Sequence, residues 1–215
     1  MNIIPQSSLL LGIIPALILL YISLKDWQDH YTEKTLFIMF ILGIIIGFIV
    51  VLMSTFYDLL IIILIFPFLE QIIKTMILNL RRSQAKQATV MYGLGFGLGF
   101  GSIYPPAFLI LFSQAEISNF ILISTLLGSL GLLLIHGATG ALIGYGIYQG
   151  KLLNFYFYSV LMLIGANLLM WIQVGYVQWI TLLVGLFMFY LVHKKILLKV
   201  VRSFEKRKQN QKPSD

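Results

Sequence analysis

Long apolar stretches alternate along this chain with short polar punctuation, and the apolar stretches lack the 3.6-residue polar stripe of a helix half in water. A bilayer crossing needs roughly 20 predominantly apolar residues. Seven stretches meet that length, at about 8–24, 35–53, 57–78, 88–112, 119–147, 152–172 and 175–193. The pattern predicts an all-α fold: a polytopic bundle of seven transmembrane helices forming one domain over residues 1–200, followed by a basic tail over 201–215. The first stretch has no Lys or Arg before Lys25 and no evident small-residue cleavage site, so it reads as a span and not as a secretory signal.

Charge orients this bundle. Short cytoplasmic loops are enriched in Lys and Arg, and an N-terminus placed outside puts Lys25, Lys34, Arg81, Arg82, Lys86, Lys151 and the whole basic tail from Lys194 to Lys212 on the cytoplasmic side. Only Lys74, inside a span, is left over. The outside loops then carry Asp58 and Glu116 alone. The expected topology is therefore N-terminus out, C-terminus cytoplasmic, in the cell membrane, with Trp27, Trp171 and Trp179 as headgroup-depth anchors.

Of the 215 residues, 59% are hydrophobic and 11% charged, against about 25% charged in soluble proteins. The net charge of +7 does not indicate nucleic acid, because the basic residues concentrate beside spans, where each interacts with anionic headgroups by about 1 kcal/mol. The expected partners are the lipid bilayer and a membrane-protein substrate or partner transmembrane helices. The absence of cysteine removes disulfides, thiol nucleophiles and thiolate metal sites. His30 and His193 read as ordinary interfacial residues.

Three spans carry features beyond hydrophobicity. In the fourth, Gly93, Gly97 and Gly101 recur every fourth residue, as do Gly95 and Gly99; such spacing lets another backbone approach closely, so this helix should be central. Pro105-Pro106 should distort its outer end. The fifth repeats the small-residue theme at Gly128, Gly131, Gly137, Gly140 and Gly144 and adds His136. The third holds Glu70, Gln71 and Lys74, although each ionisable group at membrane depth costs roughly 2.5–3.5 kcal/mol on the insertion scale.

The i, i+4 spacing puts Glu70 and Lys74 on one helix face, where each can offset the other's charge. Pro67 frees the carbonyl of Ile63 one turn earlier, so the helix should kink and admit water near Glu70. At 1.5 Å per residue, Glu70 lies roughly 18–20 Å and His136 roughly 25 Å from the outer ends of their helices. Both depths fall in the cytoplasmic half. If the two side chains converge, the available chemistry is activation of water, with the carboxylate taking a proton and the histidine orienting water or stabilising an oxyanion. HExxH is absent and one deep histidine is too few for a zinc site, so neither metal nor cofactor is expected. Asn167 in the sixth span reads as interhelical glue.

The order of these residues resembles the glutamic-type intramembrane protease superfamily, comprising the PrsW group, the CAAX-protease and bacteriocin-processing group, and the Aph scaffold subunit of γ-secretase. Glu70-Gln71-Ile72-Ile73-Lys74 is similar to a Glu-Glu-x-x-Lys motif. Phe96-Gly97-Leu98-Gly99-Phe100 is similar to Phe-x-x-x-Glu or Phe-x-x-x-His. His136-Gly137-Ala138-Thr139-Gly140 resembles a third motif, and Asn167 stands where a fourth polar group is found. The likeness covers about Phe66 to Asn167 and implies a seven-span fold. It makes Glu70 the general base, Lys74 its partner and His136 an oxyanion stabiliser. Gln71 in place of a second acid, and Phe100 in place of a polar group, mark the chain as a degenerate member. Two rivals accompany the protease expectation: an inert, Aph-like scaffold whose glycine-rich helix clasps partner spans, and a small transporter or proton pathway through Glu70, Lys74 and His136.

Overall fold

The computed structural model describes residues 9–80, 87–113, 118–172 and 178–201. Among them there is no strand, and seven helical stretches are long and apolar enough to cross a membrane: Leu10–His30, Glu33–Ser54, Leu59–Leu78, Ala88–Ile110, Asn119–Tyr148, Leu152–Trp171 and Trp179–Val201. These match the seven expected spans, with the largest differences at the ends. The first extends through a 3₁₀ turn at Lys25–His30, and the last continues through a π turn at His193–Leu197 to Val201. There Ile196, Leu197, Val200 and Val201 bury themselves against the bundle. Trp27 stacks on His193 at 5.4 Å between centroids, so two side chains expected to act separately at the interface tie the first span to the last. Arg81, Arg82, Lys86, Glu116 and residues 202–215 of the basic tail lie outside the described residues.

Two of the seven spans are broken. The third consists of α3 (Leu59–Leu64) and α4 (Phe66–Leu78), parted at Ile65; Pro67 sits in the first turn of α4, where its missing N–H removes no helical bond. The fourth consists of α5 (Ala88–Gly101) and α6 (Tyr104–Ser113), parted at Ser102-Ile103. Pro105 and Pro106 again occupy the first turn of the new helix. The distortion expected from them thus falls one turn before the prolines, where Ser102 donates its hydroxyl to the Gly99 carbonyl at 2.6 Å. The other spans are α1 (Leu10–Leu24), α2 (Glu33–Ser54), α7 (Asn119–Tyr148), α8 (Leu152–Ile172) and α9 (Trp179–Val192).

α5 and α7 form the centre, with α2 against α5 and α9 against α7. Every position of α5 from Thr89 to Gly101 is buried. The glycines explain how. A Cβ on Gly93 would collide with the Gly140 carbonyl, one on Gly97 with the His136 carbonyl, and one on Gly101 would come within 2.7 Å of Leu133 Cα, all on α7. The alternate pair faces α2, where a Cβ on Gly99 would meet the Phe40 carbonyl and one on Gly95 the Leu36 side chain. Gly131 of α7 and Gly185 of α9 make the same kind of approach. Both glycine stripes of α5 are therefore occupied within this chain, which leaves neither free to clasp a helix of another protein.

Candidate active site

The close approach of α5 to α7 sets the geometry of the polar cluster. With Gly97 on the His136 backbone and Gly101 beside its Cβ, the next large side chains on that face, Phe100 and Tyr104, lie against the imidazole. The ring centroids are 4.8 Å from Phe100 and 4.9 Å from Tyr104, each at 22°. Stacked aromatic contacts of this kind contribute about 0.5–1.5 kcal/mol beyond their buried area. The histidine is held flat, and its only remaining freedom is in which nitrogen carries the proton.

α4 brings three polar residues to α7. Glu70 is 3% exposed and Gln71, Lys74 and His136 are fully buried. Lys74 Nζ lies 3.0 Å from His136 Nδ1 and donates to Thr139 Oγ1 at 3.0 Å; Thr139 in turn donates to the His136 carbonyl at 3.1 Å. The ammonium also sits 5.0 Å from the Phe100 ring centroid, in cation–π range. An ammonium can only donate, so Nδ1 accepts and the imidazole proton resides on Nε2. That nitrogen faces Glu70 Oε2 at 3.9 Å, beyond a direct hydrogen bond. The other carboxylate oxygen, Oε1, accepts from the Tyr104 hydroxyl at 3.1 Å.

In this order the offset of charge expected between Glu70 and Lys74 runs across a third group. The two charges share a helix face, but among the described residues the ion-pair contact of Glu70 is to His136, and Lys74 reaches past it to α7. The imidazole is inserted between acid and base. Phe100, expected to be inert at a position for a polar group, forms one wall of the histidine slot and faces the ammonium. Both amide atoms of Gln71 lie buried without a hydrogen-bond partner.

A cavity of about 300 Å³ descends to Glu70 from the end of the bundle that holds the α2–α3 loop. Val50, Ser54, Thr55 and Trp171 line it toward that end, and Glu70, Tyr104 and Asn167 supply polar groups deeper in. This is the lower end of the size range of small-molecule sites. His136 and Lys74 do not line it. The histidine thus stands behind Glu70, and the oxyanion role expected of it has no route to the cavity in this arrangement. Asn167 places its amide nitrogen 3.5 Å from the Ile62 carbonyl oxygen beside the α3–α4 break. It is at once interhelical glue and cavity wall. The interruption expected at Pro67 falls at Ile65, ahead of the proline, and the carbonyl that Asn167 reaches is that of Ile62, not the Ile63 carbonyl expected to be freed.

Tyr104 is the residue that sequence reasoning missed. A tyrosine near the end of a span reads as a belt residue; the available signal was its position four residues after Phe100, on the face the glycines bring to His136. Compared with protein-family models, with curated proteins and with solved structures, the chain finds no match.

Proposed function

We propose that this chain is a multi-pass membrane hydrolase whose site works in the manner of the glutamic-type intramembrane proteases it resembles, with Glu70 activating water against a peptide bond of a membrane-embedded substrate. The observation that carries this reading is the position of Glu70: of the three ionisable groups in the cluster it alone lines the cavity, while His136 and Lys74 back it from the protein side. A buried carboxylate needs compensation to stay charged, and the ammonium two contacts away supplies it from the protein side, through His136.

In the reaction, water loses a proton to the Glu70 carboxylate as its oxygen bonds to the substrate carbonyl carbon, and the C=O electron pair moves onto oxygen. Collapse of that intermediate restores the C=O bond and breaks the C–N bond. The proton held by Glu70 passes to the leaving nitrogen. General-base catalysis of this kind contributes about 10²–10⁴-fold.

The rival readings rest on less. A scaffold would need a face other than the glycine stripes of α5. A proton pathway through Glu70, His136 and Lys74 ends on Thr139, whose own hydroxyl is turned back onto the His136 carbonyl. The deciding experiment reconstitutes the purified protein in liposomes with labelled apolar peptides and follows products by mass spectrometry. Glu70→Gln should lower cleavage at least 100-fold; the amide still accepts from Tyr104 and Lys74 keeps His136 and Thr139, and a thermal melt at the assay conditions checks that the variant, whose ammonium has lost its counter-charge, remains folded. Equal cleavage by wild type and variant would remove the reading.

A further inference from the structure

We infer that Tyr104 is a catalytic residue of this site: its hydroxyl caps Glu70 at rest and becomes the hydrogen-bond donor to the substrate's oxyanion once a carbonyl enters the cavity. The inference rests on the hydrolase reading given above.

Four observations converge on it. The hydroxyl lies at the carboxylate, 3.1 Å from Oε1, and Tyr104 lines the same cavity as Glu70. A carbonyl within reach of water on Glu70 is thus within reach of Tyr104. The other donors near Glu70 are engaged or set back: Lys74 is committed to His136 and Thr139, His136 does not line the cavity, and Asn167, which does, directs its amide nitrogen to the Ile62 carbonyl at 3.5 Å. The ring is fixed by stacking on His136, so a small rotation at the phenol end exchanges one acceptor for another without disturbing the slot. Finally, Tyr104 opens α6 immediately after the Ser102-Ile103 break, which redirects the span and swings the ring over the carboxylate. Phe100, one turn earlier on unbroken helix, contributes only its face.

The exchange has a chemical logic. At rest Oε1 accepts a hydrogen bond from the phenol hydroxyl. An arriving carbonyl offers a competing acceptor that becomes negative as water attacks, so the hydroxyl turns to where charge develops and frees the carboxylate oxygen at the moment Glu70 must take a proton. The phenol donates a hydrogen bond throughout and transfers no proton, so the balance of the hydrolysis is unchanged.

The test compares Tyr104→Phe with Glu70→Gln in the liposome cleavage assay. Tyr104→Phe keeps the ring, the stack and the cavity wall and removes one oxygen. It should lower kcat about 100- to 1000-fold, the usual effect of losing one oxyanion donor, with KM little changed and thermal stability kept. A peptide aldehyde, which mimics the tetrahedral intermediate when hydrated, should bind wild type more tightly than Tyr104→Phe, whereas an uncleaved amide peptide should bind both alike. A merely structural tyrosine would not produce that split. Should Tyr104→Phe melt markedly earlier than wild type, 3,5-difluorotyrosine at position 104 replaces it; the more acidic phenol is a better donor, and an unchanged kcat would overturn the inference. Full activity in Tyr104→Phe with Glu70→Gln inactive overturns the role of Tyr104 and leaves the hydrolase reading standing. Full activity in Glu70→Gln overturns both.

Discussion

Lys74 is the residue whose local context most misstates its role. On α4 it faces the same way as Glu70, and helix geometry alone makes them a pair. In the folded protein its ammonium passes to α7, takes Nδ1 of His136 and the Thr139 hydroxyl, and rests over Phe100. Its charge balances Glu70 through the histidine. Replacing it with methionine, of similar length, leaves a buried carboxylate uncompensated and two acceptors without a donor. Breaking a buried charge pair from one side typically costs about 3–5 kcal/mol, and Lys74→Met should show a loss of that order in thermal unfolding in detergent. The double variant Glu70→Gln/Lys74→Met should be less destabilised than the sum of its parts, because it removes both charges. Strict additivity would show that the two are not coupled. Glu70, Lys74 and His136 were legible in the sequence because ionisable groups in apolar runs stand out. Their order was not: which acceptor Lys74 takes depends on a neighbouring helix whose distance is set by glycines elsewhere. Tyr104 was illegible for a related reason: Pro105-Pro106 marked a distortion of the span, but not that it would fall at Ser102-Ile103 and bring the Tyr104 hydroxyl to Glu70.

At the scale of the element, glycine spacing acts as an assembly code with a readable consequence. Gly97 has the His136 carbonyl where a side chain would begin, whereas a Cβ on Gly165 of α8 would meet nothing within 4 Å. Both are glycines inside spans, and the two should respond oppositely to alanine. Gly97→Ala should force α5 from α7 and cost about 1–3 kcal/mol, the usual range for overpacking. Gly165→Ala should be neutral or stabilise by up to about 1 kcal/mol, since it exchanges a poor helix former for the best one. Thermal melts of the two variants side by side check this. A Gly97→Ala protein as stable as wild type would mean that the helices approach less closely than described. The centrality of the fourth span was readable from the i, i+4 glycines. The identity of each partner was not, because Gly93, Gly97 and Gly101 serve α7 while Gly95 and Gly99 serve α2, and the sequence does not say which stripe meets which helix.

For the whole molecule, seven spans follow from hydropathy and length alone, and their described limits agree with the apolar runs to within a few residues except where the first and last continue through non-α turns. The orientation expected from the Lys and Arg partition is open to direct measurement, because the chain has no cysteine and single cysteines can be introduced without background. Thr55→Cys, at the α2–α3 end, should react with a membrane-impermeant maleimide on intact cells. Gly150→Cys, at the turn between α7 and α8, should react only after permeabilisation. The reverse result would invert the topology and place the mouth of the Glu70 cavity on the cytoplasmic side. With the expected orientation, the cavity opens outward although Glu70 lies deeper than the midpoint of its span, so the acid is reached from the far side of the membrane.

The burial of α5 bears on how the protein is made. The span it begins, Ala88–Ile110, has the lowest hydropathy of the seven and the largest buried share, so it gains least from lipid and most from neighbours. On emerging from the ribosome it can rest at once against α2, which precedes it. Its second wall, α7, is synthesised only afterwards. Until then the backbone along Gly93, Gly97 and Gly101 is covered neither by side chains of its own nor by a partner helix. Until the next span arrives this segment lacks its second wall, and the slot for His136 closes only at that step.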